Sequence, residues 1–213
     1  MTKSLSWTSQ YTPKNRQDLT GNREAINKLD KYMKSWKKKP PKKRAAFVHG
    51  PTGTGKTIAV QVLAKDNNYD LLEINASDKR TKKKMDEILG KTVTQNVTIF
   101  GRPRMILLDE MEGVSGQKDR GGITAIANLI KITRNPIILV ATTIGENMEQ
   151  KFRSLRNKAT LIEFSPVSFG EIFSKLREIT TDKKIAVYGD ILDTIAMRSN
   201  GDLRSAINLS LIH

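Results

Sequence analysis

The sequence contains no cysteine, so neither a disulfide framework nor a thiolate metal site is available. Histidine is nearly absent as well: His49 and His213 are the only two, too few for an imidazole-based metal centre. Long apolar runs are missing. The longest are strand-sized, such as Ile137 to Ala141, and the stretch Met1 to Trp7 has no apolar core of a leader segment. A cytoplasmic protein with no membrane association is therefore expected. No internal repeat with a period of roughly 20–50 residues is visible, which sets aside solenoids and propellers. Acidic residues are in deficit: 22 Asp and Glu face 37 Lys and Arg, for a net charge of +15. That balance favours a polyanionic partner such as nucleic acid, although a solvated cationic surface has the same composition. At 213 residues the chain can bury a substantial core, as one large domain or a large one with a small companion.

One stretch is strongly specified. Gly50-Pro51-Thr52-Gly53-Thr54-Gly55-Lys56-Thr57 matches G-x-x-x-x-G-K-[ST], between the apolar run Ala45 to His49 and a helix-like run from Thr57 to Lys65. This is a P-loop in its strand–loop–helix setting. The glycines let backbone N–H groups turn inward on phosphates, Lys56 would reach the β- and γ-phosphates of ATP, and the Thr57 hydroxyl would ligate Mg²⁺.

Around the P-loop the periodicity alternates. Asn22 to Trp36 carries Ile26, Leu29, Met33 and Trp36 at helical spacing, after a polar arm broken by Pro13. Lys37-Lys38-Lys39-Pro40-Pro41-Lys42-Lys43-Arg44 reads as a solvated linker, since proline stops a helix and like charges repel. Contact with DNA is the competing reading. Downstream, strands are predicted at Asp70–Asn75, Arg104–Leu108, Ile137–Thr142 and Ala159–Phe164, with helices at Thr81–Leu89 and Gly122–Ile132. Strands alternating with helices imply right-handed crossovers and a parallel sheet covered on both faces. From Pro166 onward everything is helical in pattern. Ser168-Phe169-Gly170-Glu171 is a capping box launching Ile172, Phe173 and Leu176, and further helices are predicted at Ile191–Met197 and Leu203–Leu211. The expected division is an α/β nucleotide-binding domain over 1–165 and a small all-helical domain over 166–213.

Two further patterns carry chemistry. Met105 to Leu108 delivers Asp109 and Glu110 at the C-terminal edge of a buried strand, where open α/β sheets bind their ligands. There Asp109 would hold Mg²⁺ through its water shell and Glu110 would polarise the water attacking the γ-phosphate. Thr142, at the end of the next strand, would hydrogen-bond that water or the γ-phosphate. Arg204 falls in the first turn of a helix, an unfavourable end for a cation because the helix dipole is positive there. A nucleotide phosphate would resolve the conflict; a salt bridge to Asp202 or Glu171 is the alternative.

The ordered set Tyr11-Thr12-Pro13, the P-loop, Glu73-Ile74-Asn75-Ala76-Ser77-Asp78, Leu107-Leu108-Asp109-Glu110 and Gly201-Asp202-Leu203-Arg204-Ser205-Ala206-Ile207-Asn208 resembles replication factor C, the clamp loader of DNA replication, within the AAA+ ATPases. The stretch from Asp109 to Gly122, with Gly113, Asp119, Arg120 and Gly121, is closer to the archaeal large subunit than to the small one. The resemblance implies a three-layer αβα P-loop ATPase domain with a helical lid, in an arc of five subunits. That arc would use ATP to open a sliding clamp and load it at primer–template DNA. It implies that Thr142 stands at sensor 1 and Arg204 at sensor 2, and that Tyr11 and Pro13 lie beside the adenine. It further implies that Lys79, Arg80, Lys82, Lys83 and Lys84, with Lys118 and Arg120, track DNA phosphates independently of sequence; a solvated helix face is the competing reading of the stretch from Lys79 to Lys84.

The chain also departs from the family pattern. Sensor 1 is often Asn, and the shorter Thr142 implies slow hydrolysis. The arm's usual Arg before Pro is Thr12. Where small subunits place an arginine that reaches a neighbour's ATP, this chain has Asn157-Lys158-Ala159. Lysine is a point charge and not a planar fork, so the chain is expected to receive a finger without lending one. Two other readings stay open: another AAA+ ATPase acting on DNA, of initiator or branch-migration type, and a non-hydrolysing module that binds nucleotide and DNA.

Overall fold

The computed structural model describes residues 6–76, 101–114, 120–142 and 152–209. The helix expected at Thr81–Leu89, the end of the Asn75–Asp78 motif, the cations Lys79 to Lys84 and Lys118 lie outside the described residues.

Among the described residues, five short strands form one sheet, β1 (Ala45–His49), β2 (Asp70–Asn75), β3 (Arg104–Asp109), β4 (Ile137–Ala141) and β5 (Ala159–Glu163), in the order β2-β3-β4-β1-β5. Every pairing is parallel: His49 lies opposite Ala141 on one side and Glu163 on the other, and Asn75 lies opposite Asp109. The three central strands, β3, β4 and β1, are near-continuous apolar runs because both of their faces are covered. Along β1, Ala46 and Val48 point into one core with Leu29, Met33 and Leu63. Ala45 and Phe47 point into the other with Ile126, Ile130 and Phe152, as the two-residue period of a strand requires.

On the first face lie α2 (Arg23–Ser35) and α3 (Lys56–Asp66); on the second lie α4 (Arg120–Ile132) and the helical residues 152–156. The arrangement is the expected three-layer αβα fold. Predicted boundaries shift by a residue or two, with one informative case. Strand β4 ends at Ala141, before Thr142, because the Thr142 N–H turns to the Glu112 carboxylate at 3.2 Å.

After β5 come α5 (Phe169–Asp182), α6 (Gly189–Arg198) and α7 (Leu203–Leu209), with a core of their own built on Ile172, Leu176, Ile179, Leu192 and Ala206. The capping box is formed: the Ser168 hydroxyl accepts from the Glu171 N–H, and the Glu171 carboxylate accepts from the Ser168 N–H. The short first helix, α1 (Trp7–Gln10), belongs with this cluster, since Trp7 and Tyr11 pack against it.

Arg44, at the end of the basic linker, donates to the carbonyls of Lys131 and Thr133 at 3.0 and 3.1 Å. It therefore neutralises the negative end of α4 and is not simply a solvated charge.

One buried ion cluster fastens the first layer. Asp30, 7% exposed, accepts from Arg16 and Lys34 at 2.7 Å each and from the Asn67 amide at 3.0 Å. Burial alone would raise its pKa, but these hydrogen bonds outweigh it and hold the carboxyl below its ordinary value. A depressed carboxyl contributes stability above its unfolded pKa of about 3.9, and the contribution disappears as pH falls through the folded value. Arg16 and Lys34 are partly exposed and can rehydrate, so Asp30→Ala is expected to cost about 2 kcal/mol at pH 7. In urea unfolding, the gap between variant and parent should close as pH falls below the ordinary carboxylate range.

Candidate functional site

The site lies at the C-terminal edge of the sheet, where β1, β3 and β4 end together. Gly50 follows β1 at φ 144°, and a Cβ there would lie 1.9 Å from the Phe164 carbonyl oxygen, so only glycine lets the loop pass that closely to the end of β5. Gly53 is tighter still, at φ 64° with a Cβ position 1.7 Å from the Asp202 carboxylate. The loop then enters α3 through Gly55, aiming the first N–H groups of that helix into the cleft.

Lys56 is the first residue of α3 and is buried. Its ammonium donates to the carbonyls of Gly50 and Pro51 at 2.8 and 2.6 Å. Burial pushes its pKa down, the Glu112 and Asp109 carboxylates push it back up, and Arg204 lowers it further. The net direction is down. An anion in the cleft would favour the charged form.

Asp109 ends β3 and Glu110 follows it at the sheet edge. The Thr57 hydroxyl donates to Asp109 Oδ2 at 2.9 Å, and the Glu110 N–H donates to Asp109 Oδ1 at 2.8 Å. Glu110 has φ 51°, a left-handed conformation that costs a non-glycine residue roughly 1 kcal/mol and is often found at functional positions. It is exposed to the cleft and borders a cavity of about 440 Å³ with Lys56, Thr57, Asp109, Glu112, Thr142 and Arg204. Mg²⁺ takes oxygen donors, commonly one or two carboxylates plus phosphate oxygens. Thr57 and Asp109, already in contact, fit that demand.

Arg204 is exposed in the first turn of α7. Among the described residues it pairs with neither alternative partner. Asp202 caps its own helix by accepting from the Ser205 N–H at 2.7 Å and accepts from the Thr52 hydroxyl at 3.3 Å, while Glu171 is held by Ser168. Arg204 also borders a second cavity of about 160 Å³, walled by Pro13, Leu19, Ile58, Phe164 and Ile207. Tyr11 lines that cavity too, but its hydroxyl donates to Asp182 and Lys183 stands 5.4 Å over its ring, which fastens the arm to α5. The two cavities meet at the loop and Arg204, one apolar and one lined by charge.

Two residues of the site escape sequence reasoning. Asn22, in the left-handed region at φ 52°, accepts from the Ser165 N–H at 2.8 Å and donates to the carbonyls of Ser165 and Thr54 at 2.9 and 3.4 Å. It joins α2, the P-loop and the exit from β5. Glu112 accepts from both the N–H and the hydroxyl of Thr142; its only signal in the sequence is a third carboxylate two residues beyond Glu110. The residues of the expected DNA contacts, Lys79 to Lys84 and Lys118, lie outside the described residues, as does the side chain of Arg120.

Residues 46–166 match the family model of ATPases associated with various cellular activities (AAA). Among curated proteins, the chain is 38% identical over 205 residues to a replication factor C large subunit of Thermofilum pendens, covering 96% of this chain and 49% of that protein. To the protein of the same name from Staphylothermus marinus it is 36% identical over 208 residues, covering 98% and 48%. The corresponding figures for the Nanoarchaeum equitans protein are 38% over 199 residues, 93% and 45%. The chain thus spans about half the length of these relatives. Among solved structures, the Thermotoga maritima RuvB Holliday junction branch migration motor superposes with a TM-score of 0.69 at 20% identity, over 94% of this chain and 64% of the other. At that identity the likeness concerns the fold.

The three bonds of Asn22 are each worth about 1 kcal/mol net. Asn22→Ala is expected to lower unfolding free energy by about 2–3 kcal/mol and to expose the joint near Ser165 to limited proteolysis. Asn22→Gly loses the same bonds but is spared the cost, roughly 1 kcal/mol, that alanine meets in the left-handed region, so its loss should be the smaller of the two.

Proposed function

This chain belongs to the AAA family of ATPases, and on that premise we propose that it is the ATP-hydrolysing part of a clamp-loader subunit of the replication factor C large-subunit type. The observation that carries the reading is Arg204, an arginine with no anionic partner among the described residues, placed where the apolar and charged cavities meet. In this reading the adenine occupies the cavity walled by Pro13, Tyr11 and Phe164. The phosphates lie on Gly50 to Thr57, with Lys56 released from the Gly50 and Pro51 carbonyls to the β- and γ-phosphates. Residues 1–165 act as the nucleotide-binding domain and 166–213 as a lid, with Arg204 sensing the nucleotide across their joint.

Mg²⁺, when bound, offsets the charge that develops on the phosphate oxygens. Thr57 and Asp109 would hold it. Glu110 accepts a proton from the attacking water as that oxygen bonds to the γ-phosphorus and the bond to the β-phosphate oxygen breaks. Lys158, whose ammonium donates to the Ser154 carbonyl at 3.3 Å, lends no planar fork to a neighbour. The arginine that completes this site comes from an adjoining small subunit.

The partners in this reading are small clamp-loader subunits in a hetero-pentamer, the sliding clamp and primer–template DNA, in the cytoplasm and on the nucleoid. Support comes from the named relatives and the net charge of +15. The likeness to the branch migration motor reports the fold and not its task. Among the described residues no helix is long and apolar enough to cross a membrane.

The test is ATP turnover by the chain assembled with small subunits, clamp and primed DNA. Turnover should rise when clamp and primed DNA are added. Glu110→Gln should retain ATP binding while stimulated turnover falls by about 100-fold or more. No response to clamp and DNA would overturn the clamp-loader reading. Turnover indifferent to Glu110→Gln would remove the base from its role. DNA binding should also weaken steeply with salt and ignore sequence.

A further inference from the structure

Thr142 presents two donors to one carboxylate. Its N–H meets Glu112 Oε2 at 3.2 Å, and its hydroxyl donates to Glu112 Oε1. An ionised carboxylate only accepts hydrogen bonds, so the hydroxyl proton is committed to Glu112. The Thr142 oxygen keeps lone pairs and no proton for the cavity it borders with Glu110 and Lys56. A group in that state cannot donate to a γ-phosphate oxygen, which is itself an acceptor. It can accept from the O–H of a water.

We propose that Glu112 is a positioning residue that fixes the polarity of Thr142, making its hydroxyl an acceptor for the attacking water during ATP hydrolysis. The inference rests on the hydrolytic reading above. In the step, the water oxygen bonds to the γ-phosphorus while the bond to the β-phosphate oxygen breaks and its electron pair leaves with ADP. One water proton passes to Glu110. The other O–H stays intact and is held by Thr142, so the water's lone pair is aimed by two acceptors on different strand ends. The reach lost by having Thr at this position is offset by anchoring it at both its N–H and its hydroxyl, and the early end of β4 follows from the same contact.

Glu112 faces a second possible duty, because its carboxylate is the largest charge influence raising the pKa of Lys56. A counter-ion to Lys56 would show in nucleotide affinity. A positioning residue acting through Thr142 shows in turnover alone, and its effect depends on Thr142 being present.

The experiment uses the chain assembled with small subunits, clamp and primed DNA, and measures kcat together with equilibrium binding of a fluorescent ATP analogue. Glu112→Gln keeps the side chain's shape but turns one acceptor into a donor. It should lower kcat by about 100-fold while analogue affinity changes by less than about twofold. Glu112→Ala should do the same in the parent and have little added effect in a Thr142→Ala background, since the two act in series. Thr142→Ser, which retains the hydroxyl, should keep most of the turnover and remain sensitive to Glu112→Gln.

Equal losses from Glu112→Ala with and without Thr142 would overturn the proposal. So would parental kcat in Glu112→Gln, or a loss of affinity that matches the loss of turnover. If the unaltered assembly binds the analogue yet turns over no ATP, the hydrolytic reading fails and this inference fails with it.

Discussion

A single backbone hydrogen bond, from the Leu203 N–H to the Gly53 carbonyl at 3.1 Å, seats the helical cluster on the phosphate-binding loop. Beside it the Asp202 carboxylate occupies the space where any Cβ at Gly53 would stand and receives the Thr52 hydroxyl. The next residue along is Arg204. Its place between the two cavities follows from this contact, and not from a hydrogen-bonded or ion-paired partner among the described residues. A loop whose glycines serve only to wrap phosphates would tolerate a looser neighbour; here Gly53 also lets a second element come within bonding distance.

The same joint explains the arm and the exit from the sheet. Asn22 ties the start of α2 to Thr54 and Ser165, and the Val167 N–H bonds to the Gly201 carbonyl at 3.0 Å. Trp7 and Tyr11 pack on the helical core from the other side. Movement of the helical cluster would therefore be felt at the loop and at the arm together, which is the linkage a nucleotide-sensing lid needs. Charge adds to it. Burial lowers the pKa of Lys56, and the nearby charge of Arg204 lowers it further. Bound phosphate would offset that crowding of positive charge.

Much of this was legible in the chain itself. The P-loop announces its own strand and helix, and the depletion of polar residues in Met105–Leu108 marks a strand buried on both faces, with Asp109 and Glu110 at its ligand edge. Arg204 was placed by a local contradiction, a cation at the positive end of a helix. The strand order β2-β3-β4-β1-β5 was not legible, because handedness rules constrain each crossover and leave open the edge on which a strand is added. Nor was the Glu112–Thr142 contact, which joins residues thirty apart through geometry that exists only once β3 and β4 are adjacent. Asn22 gave no local sign of its left-handed backbone beyond being an Asn after a Gly. Arg44 was hidden inside a run of like charges whose average behaviour, solvation, masks one member acting as a helix cap.

In the proposed function, nucleotide is gripped from both sides of the joint, by the loop below and by Arg204 above. Amide hydrogen exchange with and without Mg²⁺ and ATP reads both sides at once. Protection should rise together in residues 50–57 and 201–204, with Arg204→Ala abolishing the rise in the second stretch and sparing it in the first. Protection of the loop with no change at 201–204 in the unaltered chain would contradict it.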